Sequence, residues 1–235
     1  MPARVIQGKA RVEAVRGLTP EIFEADLRME DPPEFRFEAG QWVSIPFGPK
    51  TVRAYSLASP PSSCRVITLC ADVAPGGIGS RWFKRLNAGE AVEFKGPTGG
   101  FVLNRADPRR PLFVAEEIGI VPVRSILWDC FQTGFGRPAT LIYWARDPSW
   151  LAYDREFRLL SHRYPGLTYL PVVKEAPEGW IGEKGEAGEM VDRAVQSVEG
   201  LVAYVSGGGR MINKVREILM AKGLDRRSVK WEKFW

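Results

Sequence analysis

A chain of 235 residues, 45% hydrophobic and 26% charged, has the apolar content for a real core and the length for one large domain or two of moderate size. The net charge of +5 is spread along the chain with no polybasic block. That argues against a nucleic-acid reader with a clustered basic face and fits an anionic cofactor or an acidic protein partner. No apolar run approaches the length of a membrane-spanning helix, and the first residues, MPARVIQGKARVEAV, read as a strand and not as a leader, so a cytoplasmic protein without a membrane span is expected.

The first hundred residues read as short strands separated by turn residues: Ala3–Val15, Ile22–Met29, Trp42–Pro46, Arg53–Leu57, Arg65–Ala71 and Ala91–Lys95. Alternation, β-branched residues and the intervening Gly, Pro and Ser clusters predict an antiparallel barrel. One helix is expected to interrupt it, with Ile78-Gly79-Ser80 as its cap, Arg81–Leu86 as its body and Asn87-Ala88-Gly89 as its end. The three cysteines, Cys64, Cys70 and Cys130, form no C-x-x-C pair and are too few to bind an iron–sulfur cluster of the usual four-thiolate kind. No metal site is expected.

A polar stretch at Asn104–Arg110 marks a change of pattern, with 1–106 read as a barrel domain and 107–235 as an α/β domain. Strand-like runs then alternate with helical ones: strand Pro111–Ala115, helix Val123–Thr133, strand Ala139–Ala145, helix Leu151–Arg163, strand Thr168–Val173, helix Glu189–Val195, strand Leu201–Ser206, helix Met211–Lys222 and strand Val229–Trp235. The alternation predicts a doubly wound parallel sheet. The single histidine, His162, sits in polar sequence and reads as a solvated residue placed after the helix.

The most informative stretch is Arg53-Ala54-Tyr55-Ser56. In an extended strand Arg53 and Tyr55 share one face while Ser56 takes the other. A guanidinium holds a phosphate, a phenol ring stacks on a flat heterocycle, and a small hydroxyl reaches a ring nitrogen. Gly76-Gly77-Ile78-Gly79-Ser80 follows, a glycine-rich turn into a helix, where exposed N–H groups and the helix dipole favour an anion. Gly96-Pro97-Thr98-Gly99-Gly100-Phe101 comes next.

In their order these motifs resemble the ferredoxin–NADP reductase family of flavoprotein oxidoreductases, and the resemblance extends over nearly the whole chain. It implies that Arg53 meets the flavin phosphate, Tyr55 stacks on the isoalloxazine, Ser56 lies near flavin N5, and Gly76, Gly77, Ile78, Gly79 and Ser80 receive the phosphate. In the second half, Ala115-Glu116-Glu117-Ile118-Gly119-Ile120-Val121-Pro122 stands where the family has A-G-G-x-G-I-x-P, the loop that approaches the dinucleotide pyrophosphate and here keeps Gly119 and Pro122. Ser206-Gly207-Gly208-Gly209-Arg210-Met211 resembles the later C-G-P-x-x-M segment, and Glu232-Lys233-Phe234 the terminal E-x-F that borders the flavin, with Trp235 beside it. The resemblance implies FAD rather than FMN, NADH or NADPH as co-substrate, and hydride transfer to flavin N5 followed by electron release to an acidic carrier such as a ferredoxin or flavodoxin, or to a partner subunit. Ser56, Glu232 and Ser206 are the catalytic candidates. Arg146, after the second α/β strand, is placed to meet a 2′-phosphate or to pair with Asp147 on the surface.

Two positions depart from the pattern. Serine replaces the cysteine at 206, which keeps size and hydrogen bonding but loses the polarizable sulfur. Glu116-Glu117 replaces a glycine pair, adding charge beside a site meant for an anion. At about 5 Å and an effective dielectric near 20, one carboxylate–phosphate pair costs roughly 3 kcal/mol. Turning outward, or capping the following helix, would remove that cost. Two further readings therefore remain: a flavin-containing electron-transfer subunit with impaired or lost nicotinamide binding, and a non-catalytic nucleotide-binding homologue.

Overall fold

The computed structural model describes residues 4–234 and divides them into two compact units. The first runs through Leu103 and includes Arg124–Thr133, while the second holds Asn104–Val123 and the chain from Gly134 onward.

In the first unit, β1 (Ile6–Gly17), β2 (Ile22–Asp31), β3 (Trp42–Pro46), β4 (Val52–Ser56), β5 (Val66–Asp72) and β6 (Ala91–Thr98) form one sheet in the order β4-β3-β6-β1-β2-β5, every pair antiparallel. The edges meet beyond Ser56, where Leu57 bridges Leu69 and the Ala58 N–H donates to the Thr68 carbonyl at 2.8 Å. The sheet is thereby closed into a barrel, which leaves few unpaired edge groups. Alternation fills it: Ala10 and Val12, Ala25 and Leu27, Val43 and Ile45, and Ile67 and Leu69 bury against Phe35, Phe83 and Phe94.

Helix α1 (Ile78–Arg85) lies between β5 and β6 and buries Phe83 in that core. It already begins at Ile78, with Gly77 as N-cap and no side-chain cap. The expected Ile78-Gly79-Ser80 cap is thus corrected, because the Ser80 hydroxyl lies inside the helix and donates back to the Asp72 carbonyl at 3.3 Å.

The second unit is built on β7 (Arg110–Glu116), β8 (Ala139–Ala145), β9 (Leu167–Val173), β10 (Glu183–Lys184), β11 (Leu201–Gly207) and β12 (Val229–Lys233), all parallel, in the order β10-β9-β8-β7-β11-β12. Helices α2 (Ile120–Gln132), α3 (Asp154–Arg163), α4 (Ala187–Ala194) and α5 (Gly209–Ala221) connect them. Central β11 is buried at every residue, as a strand covered on both faces must be. His162 is exposed but belongs to the last turn of α3, not to a stretch after it. The two-residue β10 carries no alternation that a sequence reading could detect.

Candidate functional site

The two flavin-type motifs of the first unit come together in space. A Cβ placed on Gly79 would lie 2.6 Å from the Tyr55 hydroxyl and 3.1 Å from Arg53 Cγ, so only glycine lets the first turn of α1 rest on β4. Gly76 has φ 62°, which swings the chain from β5 into that helix. Arg53 and Ala54 are exposed, Tyr55 and Ser56 buried.

The Tyr55 ring sits among Trp82, 5.7 Å away, and Phe83, also 5.7 Å away, with Phe47 against Trp82 at 5.5 Å. Sequence reading missed Trp82 and Phe47; an aromatic one turn into a helix that follows a glycine-rich turn was the available signal. Burial pushes the Tyr55 phenol up to about 12, against the opposing pull of Arg53, so it stays a neutral donor at any working pH.

The α1 N-terminus has no acidic residue in its first turn, and Arg81, Lys84 and Arg85 make the helix basic. An open cavity of about 280 Å³ beside it is lined by Ile78, Arg81, Trp82, Arg85 and Glu90. Exposed guanidinium, helix N-terminus and aromatic shelf are the donor set that a flavin phosphate and ring require. Among the described residues no group of three His, Cys, Asp or Glu side chains is placed for a metal ion.

In the second unit the strand order reverses between β7 and β11, and crevices of doubly wound sheets form at the carboxyl ends on either side of such a reversal. Glu116 ends β7 and Ser206-Gly207 ends β11, so the switch point lies between them. Gly119 packs on β11 so closely that a Cβ would meet the Ser206 carbonyl oxygen at 2.4 Å. Pro122 is buried in the first turn of α2, where a missing N–H costs nothing. Ser206 and Glu232 are register partners on β11 and β12, and the Phe234 N–H donates to the Gly207 carbonyl at 3.1 Å, so three candidates gather at one sheet end. The Ser206 hydroxyl is buried without a hydrogen-bond partner. Trp235 falls outside the described residues.

Arg146 stands one strand away. Its guanidinium lies 4.8 Å over the Trp150 ring and 3.6 Å from Asp147, and its N–H donates to Glu117 at 3.4 Å. The surface pair with Asp147 is present.

The acidic pair does not simply turn outward. Glu116 Oε2 accepts the Gly208 N–H at 2.5 Å, so it serves the N-terminus of α5, not that of the following helix α2. Burial pushes its pKa above the usual carboxylate value, the Gly208 bond opposes that, and Glu117 and Glu186 add to the rise. Glu117 opens a 3-10 turn, Glu117–Gly119, at φ 45°, and its carbonyl accepts the Tyr143 hydroxyl at 3.1 Å.

A barrel carrying an arginine, an aromatic ring and a glycine-rich helix start, with a doubly wound sheet after it, defines a two-domain flavin and nicotinamide oxidoreductase. A model of the oxidoreductase FAD-binding domain matches residues 9–103, and one of the oxidoreductase NAD-binding domain matches residues 113–217. Ferredoxin–NADP reductase B of Sorangium cellulosum (strain So ce56) is 29% identical over 236 residues, spanning 96% of this chain and 97% of its own.

The ferredoxin–NAD(P)(+) reductase component of the naphthalene 1,2-dioxygenase/salicylate 5-hydroxylase systems of a Ralstonia species is 27% identical, over 95% of this chain and 67% of its own. The chain thus spans only about two thirds of the oxygenase reductase components it matches, 64% of one of them. Among solved structures, a cytochrome P450 reductase from Amycolatopsis superposes with a TM-score of 0.91 at 23% identity, covering all of this chain and 71% of that one, which bears on the fold. The chain belongs to the ferredoxin–NADP reductase family and is an FAD-dependent NAD(P)H oxidoreductase.

Proposed function

We propose that the first unit holds FAD through Arg53, Ala54, Tyr55, Ser56 and the Gly76–Ser80 turn, that the second holds NADH or NADPH at the carboxyl ends of β7 and β11, and that electrons leave to a carrier protein. The meeting of Gly79 with Tyr55 and Arg53 carries this reading, because it joins two motifs distant in sequence into one cradle. When bound, FAD supplies two-electron uptake from NAD(P)H and one-electron release.

The residues position and tune. Arg53 and the α1 N-terminus neutralise phosphate charge. Tyr55 offers a ring whose hydroxyl does not ionise, and Ser56 offers a small buried hydroxyl for a ring nitrogen. Ser206, Gly207, Gly119 and Pro122 shape the dinucleotide crevice, with Arg146 at its outer strand. Glu232 carries protons at the sheet end, and Phe234 screens it from water. The relatives named as ferredoxin reductase components support an acidic carrier such as a ferredoxin or flavodoxin, or a partner subunit, as acceptor, which the net charge of +5 favours. A cytoplasmic setting suits that partner.

The test is an anaerobic titration of the FAD-loaded protein with NADH and then NADPH, read by flavin absorbance. Stoichiometric bleaching is the expected result. No bleaching with either donor, while dithionite still reduces the flavin, overturns the dinucleotide half and leaves an electron-transfer subunit.

A further inference from the structure

At the switch point of the parallel sheet the chain has placed a carboxylate of its own where a dinucleotide's anionic centre is attracted. Glu116 Oε2 takes the N–H of Gly208, the N-cap of the thirteen-residue α5. No other acid lies in the first turn of that helix. The fit is close: Gly207 holds φ 152°, and a Cβ there would lie 2.6 Å from Glu116 Cβ and 2.8 Å from Met211 Cε. The neighbouring Ser206 hydroxyl is wholly buried and has no partner, a polar atom left without its complement at the same strand end. On the other side the Lys233 side chain comes over Gly209, within 3.4 Å of a Cβ placed there.

From this placement we infer that Glu116 is an internal anion that opposes the pyrophosphate of the bound dinucleotide, so that it sets a weak, fast-exchanging affinity while holding the Gly207–Gly208 turn in place. The inference rests on the reading that the second unit binds NAD(P)H. Charge, not bulk, is the agent. The half-buried carboxylate already sits on the N-terminus of α5, and a helix N-terminus that serves one anion has less field left for a second. Glu116 is a positioning residue here; it acts on the ligand through the helix end.

Glu116→Gln separates charge from shape, because the amide oxygen still accepts the Gly208 N–H. NAD+ and NADP+ are titrated calorimetrically into FAD-loaded native, Glu116→Gln and Glu116→Gly proteins, at low and high salt. Flavin content and melting temperature serve as fold controls. The expected result is binding at least about tenfold tighter in Glu116→Gln, near 1.4 kcal/mol, shrinking as salt rises. Glu116→Gly is expected to bind at least as tightly, which keeps the inference testable should the glutamine variant fold poorly.

Unchanged or weaker binding in both variants, with native binding measurable, overturns the inference alone. A gain that ignores salt overturns it too, since bulk would then be the cause. If native and variant proteins, all carrying flavin, bind neither dinucleotide at any salt, the dinucleotide reading of the second unit falls and this inference with it.

Discussion

Two helices of this protein begin in the same way and end up with different surroundings. Both α1 and α5 start after consecutive glycines, both have a glycine N-cap, and neither has an acid in its first turn. The N-terminus of α1 receives no side-chain cap, and at Gly79 it lies against the Arg53 and Tyr55 side chains of β4. The N-terminus of α5 receives a carboxylate from β7, 92 residues upstream. The same local grammar therefore leaves one helix end without a side-chain cap and makes the other share its field with a carboxylate of the protein. Glycine supplies the close approach; what approaches is decided by the fold.

The sharpest way to break the comparison is at Gly119. Its missing side chain lets the turn after β7 lie on β11, and the atom a Cβ would strike is the Ser206 backbone carbonyl, at 2.4 Å. Backbone at the end of a fully buried strand, still paired to both neighbouring strands, cannot retreat as a side-chain tip does. Gly119→Ala is expected to cost about 3 kcal/mol, the upper end of overpacking penalties, and to melt the second unit early while FAD retention persists. Calorimetric scans that resolve the two units check this. An unshifted transition would show that the close contact is not a constraint.

A smaller effect is expected at Gly79, where the obstacle is the Tyr55 hydroxyl at 2.6 Å and Arg53 Cγ at 3.1 Å. The arginine stem is flexible and exposed, but the phenol ring is held among Trp82 and Phe83. Gly79→Ala is expected to weaken FAD binding about tenfold, close to 1.4 kcal/mol, with little change in the second unit. Titration of the apoprotein with FAD, followed by flavin fluorescence, measures it. Equal affinity would separate the Gly76–Ser80 turn from the flavin site.

These two positions also show what was legible from sequence. Barrel strands and βα alternation were readable because burial imposes period 2 on the first unit and continuous apolar runs on the second, and the observed strands other than β10 fall within a few residues of those expected. Arg53, Tyr55 and the glycine-rich turn were readable as short local motifs, and the structure brings them together at Gly79. Glu116 was not readable in its actual role. Its partner is fixed by the pairing of β7 with β11, a long-range fact, and a local reading weighed charge beside an anion site, exposure or a cap on the next helix, none of which points to Gly208. The start of α1 was misplaced for a related reason: Ser80 looks like a cap, but Gly76 at φ 62° has already turned the chain into the helix.

The smallest effect concerns Glu117, the other half of the acidic pair. Its φ of 45° belongs to the left-handed region, where a Cβ crowds the neighbouring carbonyl at a cost of about 1–2 kcal/mol. Glycine removes that strain but enlarges the unfolded ensemble, an opposing term of roughly 0.5–1 kcal/mol. Its side chain contributes an acceptor for the Arg146 N–H, at a long 3.4 Å, so little is lost there. The carbonyl that takes the Tyr143 hydroxyl is backbone and survives substitution.

The balance predicts that Glu117→Gly stabilises the second unit by about 0.5 kcal/mol, while Glu117→Val, β-branched at the same angle, destabilises it by more than about 1 kcal/mol. Denaturant midpoints of the second-unit transition distinguish the two. If the glycine variant were the weaker one, the strained angle would be worth holding for its side chain, and Glu117 would join Glu116 as a functional carboxylate instead of standing as a residue forced into a glycine's place.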